Sequence, residues 1–153
     1  MPTVTTSYFR QELAAGHVNL SGDTFAVALM NYIVRNASEL ELKYQLSNWY
    51  TKGGSGVWSA TSAFESSSVG YSAITLTANS LILNNFSKIS WSGTNISWSN
   101  ITTKSHPYEP YGLCIYRPSD GLVVGFIDFG EPKEVVNGAL TIEWNTDGIA
   151  QII

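Results

Sequence analysis

Three apolar runs in the last third of the chain, Tyr111 to Tyr116, Leu122 to Phe129 and Ala139 to Trp144, constrain the fold more than any other feature. Turn residues separate them: Arg117-Pro118-Ser119-Asp120-Gly121 after the first run and Asn137-Gly138 before the third. Runs rich in β-branched and aromatic residues, bounded by Pro, Asn, Asp and Gly, predict strands joined in a β-meander. Neither paired carboxylates nor a metal-ligand cluster nor a nucleophile with its base accompanies these strands. The segment therefore describes a scaffold, and any chemistry has to come from elsewhere.

Composition supports a β-rich reading. Charged residues make up 13% of the 153-residue chain and apolar residues 44%, and Ser, Thr, Asn and Gly are abundant. That balance suits many short strands with polar outer faces. The length predicts one domain. A net charge of -4 with only 8 Lys and Arg argues against nucleic acid as a partner, because nonspecific affinity for phosphates comes from clustered cations releasing counterions. Met1 to Thr6 lacks a basic start followed by an apolar core, and no run of about 20 apolar residues occurs. The expectation is a soluble, unexported chain with no membrane partner. The single Cys114 lies in the apolar run Leu113-Cys114-Ile115 and reads as a small buried side chain.

Earlier in the chain, Thr3 to Thr6 reads as an extended N-terminal arm. Ser7 is positioned to cap a short helix through about His17, with Phe9 and Leu13 on one face and Gly16 as a stop signal. Thr24 to Met30 alternates so that Phe25, Val27 and Leu29 share one side and Ala26 and Ala28 the other, as in a buried strand. Ala37 to Trp49 is compatible with a second short helix. Thr51 to Ser68, which includes Lys52-Gly53-Gly54-Ser55-Gly56, predicts a long, flexible surface loop. Strands are expected again at Gly70 to Thr77, Leu81 to Asn84, Lys88 to Ser92, Ile96 to Thr102 and Ile149 to Ile153. The echo of Ile89-Ser90-Trp91-Ser92 in Ile96-Ser97-Trp98-Ser99 suggests a hairpin. The prolines of Ser105-His106-Pro107-Tyr108-Glu109-Pro110 predict an exposed connection. The fold expected is mainly β, an antiparallel β-sandwich with a short N-terminal helix, with the arm over 1–6 and one domain over 7–153.

Tests for catalysis find little. His17 and His106 lack ligating neighbours at metal-site spacing, and His17 is more simply explained by the helix end. Asp128 and Glu131 flank Phe129-Gly130, but closeness in sequence does not place two carboxyls across a cleft, and a strand ending in Asp and turning at Gly accounts for the residues. No catalytic residue and no cofactor or metal is predicted. Trp91, Trp98 and Trp144 fall in strand patterns and are expected in the core. Trp49, Tyr50 and Trp58 flank the loop and could stack on sugar rings, which keeps a carbohydrate-binding module as an alternative.

Two stretches carry a family resemblance. The first is Phe9 to Leu13 together with Asn19-Leu20-Ser21-Gly22-Asp23-Thr24-Phe25-Ala26-Val27-Ala28-Leu29-Met30. The second is Gly125 to Gly130 with Leu140-Thr141-Ile142-Glu143-Trp144-Asn145-Thr146-Asp147-Gly148-Ile149. Together they resemble small virion structural proteins of tailed bacteriophages. In that group a short helix leads into a Val-Ala-Leu-Met strand, a Gly-Tyr pair such as Gly70-Tyr71 opens a mid-chain strand, and a Trp-Asn-x-x-Gly-Ile ending closes the domain. This chain departs from the pattern between Lys52 and Ser68.

The resemblance implies a non-enzymatic capsid decoration or cement protein, made in the host cytoplasm and carried on the outer surface of the virion. Its implied partners are the major capsid protein and further copies of itself, with a trimer expected. A tail or head-fibre component is the alternative within the virion. The contact residues expected are Thr3, Val4, Thr5 and Thr6 of the arm, adding a strand to a neighbouring sheet, with Trp49, Tyr50, Trp58, His106 and Tyr108.

Overall fold

A computed structural model describes residues 3–30, 50–52, 58–60, 68–77, 80–85, 88–103, 109–144 and 148–152. The chain is mainly β, with antiparallel sheets and one short helix among the described residues. The largest sheet has the order β1 (Thr3–Thr5), β10 (Leu122–Asp128), β9 (Gly112–Arg117), β2 (Ala26–Met30) and β5 (Ile74–Thr75). The second run of the expected helix pattern, at Ala37 to Trp49, lies outside the described residues, as do Trp49, His106 and Tyr108.

The centre of that sheet is buried on both faces, not polar on one as the composition suggested. Every residue of β2 is buried, as are the first five of β9 and the first six of β10. Near-continuous apolar runs such as Leu113-Cys114-Ile115-Tyr116 are what two covered faces require. Val27, Leu29, Leu113, Ile115, Leu122, Val124 and Ile127 join one core cluster, whereas Ala26, Ala28, Met30, Cys114, Tyr116, Val123 and Phe126 form another. β10 changes parity between them. Val123 pairs with Tyr116 and Gly125 with Ile115, so Val124 is an extra residue without its own partner. This bulge lets Phe126 share a face with Val123 and Ile127 with Leu122, which strict alternation would forbid.

Helix α1 (Ser7–Ala14) is capped by Thr6, one residue before the expected cap, and ends earlier than His17. Phe9 enters the first core cluster and Leu13 packs against it. The helix stops where Gly16 takes φ +78°, a left-handed conformation that a Cβ disfavours. The His17 amide donates to the Glu12 carbonyl at 3.0 Å and the Gly16 amide to the Leu13 carbonyl at 3.1 Å. These are the two closing bonds of a Schellman motif.

Three expected connections are different. The third run of the C-terminal segment, β11 (Gly138–Ile142), pairs with β8 (Ile96–Ile101) and not with β10, so the meander stops after the β9–β10 hairpin. The two Ile-Ser-Trp-Ser echoes do not form a hairpin either. β7 (Lys88–Ser92) lies between β6 (Ser80–Asn85) and β12 (Ala150–Ile152), in a different sheet from β8. The expected loop at Thr51 to Ser68 contains strand: β3 (Tyr50–Lys52) and β4 (Trp58–Ala60) pair as an antiparallel ribbon around the glycine-rich stretch. Strands of three residues are too short to show a period, which is why the sequence reads as loop there.

A seam joins the sheets. The chain from Val69 to Thr77 runs antiparallel beside β8: Val69 bridges Thr102, the Trp98 indole donates to the Ser72 carbonyl at 2.7 Å, and the Thr94 amide donates to the Thr77 carbonyl at 3.0 Å. The same stretch contains β5, which pairs with β2 at Ala26 and Val27. Beyond that short pairing, the Tyr71 hydroxyl accepts the Leu29 amide at 3.0 Å, so the β2 edge stays hydrogen-bonded. Between sheets, Trp91 of β7 meets Phe25 edge to face at 5.0 Å and donates its indole N–H to the Leu20 carbonyl at 3.0 Å. Such an aromatic pair adds about 0.5–1.5 kcal/mol beyond the area it buries.

Candidate functional site

The arm residues expected at an interface are built into the domain. Thr3, Val4 and Thr5 pair with Ile127, Phe126 and Gly125 of the same chain. Thr6 is fully buried. Its hydroxyl donates to the Val123 carbonyl at 2.7 Å and accepts the Phe9 amide at 3.0 Å, and its amide donates to the Val124 carbonyl at 3.0 Å. One residue thus caps the helix and ties down the bulge of β10. Among the described residues the arm is therefore not free: Thr3–Thr5 pair along one side with β10, and Thr6 is a core residue.

Of the aromatic candidates, Tyr50 and Trp58 sit on the β3–β4 ribbon, with Tyr50 paired to Ala60 and Trp58 to Lys52. The three tryptophans expected in the core are placed there. Trp91 and Trp98 are buried, Trp144 packs against the same cluster half-buried, and each indole N–H has a carbonyl partner: Leu20, Ser72 and Thr94. Cys114 is buried and free.

The largest polar constellation among the described residues is one the sequence reading did not single out. Arg117, 11% exposed, donates through Nε and Nη2 to the two carboxylate oxygens of Asp120 at 3.0 and 2.6 Å. Its Nη1 donates to Asp23 Oδ2 at 2.5 Å and to the His17 carbonyl at 3.0 Å. Asp23 also accepts the Asn19 amide at 2.9 Å, while Asn19 Oδ1 accepts the Ser21 and Gly22 amides at 3.2 and 2.9 Å. The helix exit, the turn before β2 and the β9–β10 turn are therefore held by one guanidinium. The Asp120 hydrogen bond leads in holding Arg117 protonated, against the desolvation that opposes it. Burial alone would push the Asp120 carboxyl up; the Arg117 and Leu122 hydrogen bonds outweigh it and hold the group below its usual range. The i,i+3 spacing of Arg117 and Asp120 was visible in the sequence, whereas the contact to Asp23 spans 94 positions and was not.

The remaining charged candidates are also engaged locally. Asp128 ends β10 and accepts the Gly130 amide at 2.7 Å, forming the strand end and turn that its sequence suggests. Glu131 pairs with Lys133 at 2.9 Å, and that hydrogen bond lowers the Glu131 pKa. His17 Nδ1 lies 3.0 Å from Glu12 Oε2, so the ring meets a side chain one helical turn back as well as lying at the helix end. Among the described residues no group of three or more His, Cys, Asp and Glu is placed to hold a metal, and no helix is long and apolar enough to cross a membrane. Comparison with protein-family models, curated proteins and solved structures gives no match.

Proposed function

We propose that this chain is a non-enzymatic structural protein of a tailed-bacteriophage virion, and specifically a capsid decoration or cement protein. It would bind the outer surface of the shell and stabilise contacts between capsomers. The carrying observation is where the residues of the family resemblance lie. Asn19 and Asp23 engage the Arg117 clamp, Phe25 packs on Trp91, Trp144 is held by Asn95 and Thr94, and the Ile149 amide donates to the Trp91 carbonyl. The shared features are thus joints of one scaffold, which fits a role in building more than one in turnover.

In this reading the major capsid protein is the principal partner, and many copies, each making modest contacts, gain from avidity on a repeating lattice. One side of β1 is engaged in its own sheet, which leaves the arm no free length to reach a neighbour. The β3–β4 ribbon, with Tyr50 and Trp58, is the candidate contact element in its place. The trimer implied by the resemblance remains part of the proposal.

Locating the chain in an electron-microscopy map of intact particles tests the reading directly. Density on the outer shell, with a gel stoichiometry near that of the shell protein, is the expected result. A few copies per particle would transfer the protein to the tail or a fibre, and absence from purified particles would overturn the virion assignment.

A further inference from the structure

Among the described residues, β6 is the longest strand whose outer side carries no neighbouring strand. β8 is as long, but its second side is taken by the chain from Val69 to Thr77. Natural edge strands are usually blunted by lysine, proline, a central bulge or short length. Ser80-Leu81-Ile82-Leu83-Asn84-Asn85 contains no charge and no proline, and its one irregularity lies at its end, between Leu83 and Asn85. Leu81 is 46% exposed, and of the three large exposed apolar residues described it is the one inside a regular strand; Val69 and Val136 are not.

We propose that β6 is a self-association edge to which β6 of a second copy of this chain adds, antiparallel, about a two-fold axis. Two observations select that occupant. The other outer edges among the described residues are shorter: β1, β3, β4 and β12 are three residues long, and β11 keeps an unbroken register only from Leu140 to Ile142, against Ser80 to Leu83 in β6. An uncharged strand set against itself also opposes no like charges, and a two-fold interface requires such self-complementarity. The β12-β7-β6 sheet then continues into its symmetry mate through a backbone ladder between the two β6 strands. A threefold assembly has to use another surface.

The test uses the full chain, with native mass spectrometry and light scattering over a concentration series and amide hydrogen exchange at both ends of it. The expected result is a concentration-dependent pairing of copies, a dimer of whatever species forms without β6, that slows exchange over Ser80 to Asn85. Leu81→Lys should raise the dimer dissociation constant about tenfold or more at unchanged circular dichroism, while Ser99→Lys, on exposed β8 surface, leaves it unchanged. A monomer at every concentration overturns the proposal. So does an oligomer, trimeric or otherwise, whose β6 amides exchange at monomer rates, or a dimer insensitive to Leu81→Lys. If Leu81→Lys does not fold, exchange in the unmodified chain decides. A β6 dimer that is absent from particles would sink the virion reading and leave this one standing; a shell-bound protein without it would do the reverse.

Discussion

The Thr6 hydroxyl donates to the Val123 carbonyl at 2.7 Å across 117 positions of sequence while accepting the Phe9 amide in the first turn of α1. The N-terminal strand, the helix and the bulged strand β10 meet in that one side chain, which is fully buried.

Removing the hydroxyl should therefore be costly. Thr6→Val loses the helix cap, worth about 1 kcal/mol, and leaves the Val123 carbonyl without that donor, a further ~1–3 kcal/mol. Urea denaturation should show a loss of about 2–4 kcal/mol by these two effects, with Thr6→Ser much milder. Deleting residues 1–6 should lower the melting temperature as well, instead of leaving the fold intact as a free arm would.

Trp91 offers a test of how the sheets are joined. Trp91→Phe keeps an aromatic ring beside Phe25 but deprives the Leu20 carbonyl of its indole donor, which should cost about 1–3 kcal/mol. Trp91→Ala should cost about 3–5 kcal/mol, because it also opens a cavity. If the two variants proved equally stable in denaturant, packing of the ring would not be what links the sheets.

Gly148 is held at φ +79°, and a Cβ there would run into the Trp91 carbonyl oxygen. Gly148→Ala should destabilise the protein by about 1–3 kcal/mol, the range for a non-glycine residue forced into such a conformation. Hydrogen exchange should localise the loss to β12 and its pairing with β7, since Gly148 lies two residues before that strand begins.

Acid should loosen the Arg117 clamp. Asp120 has a lowered folded-state pKa, so its contribution is present above the unfolded value of about 3.9 and is lost as pH falls through the folded value. A stability profile should decline below about pH 4, and Asp120→Asn should flatten the Asp120 share of that decline. Arg117→Lys should weaken the clamp at neutral pH, because an ammonium cannot reproduce the paired Nε and Nη2 contacts to one carboxylate.

Local patterns were legible where neighbours in sequence are neighbours in the structure. The alternation of Phe25, Val27 and Leu29 against Ala26 and Ala28 separates into two core clusters, and Arg117-Pro118-Ser119-Asp120-Gly121 closes the β9–β10 hairpin. Gly16 ends the helix as its position suggested. Among the candidate contact residues the reading was less successful. Thr6 looked like part of a free polar arm because nothing local reveals a carbonyl 117 residues away, and the Asp23 partner of Arg117 was hidden by distance along the chain in the same way.

The sequence by itself determined strand character, turn positions and the apolar faces, because side-chain period and φ preference act within a few residues. Only the tertiary structure decided that β11 joins β8, that β7 and β8 part company, that β1 closes onto β10 and that Val124 bulges to exchange the faces of Phe126 and Ile127. Backbone hydrogen bonds between strands carry no side-chain identity. Their partners are chosen by which combination buries both faces of the central sheet at once, a property of the whole chain.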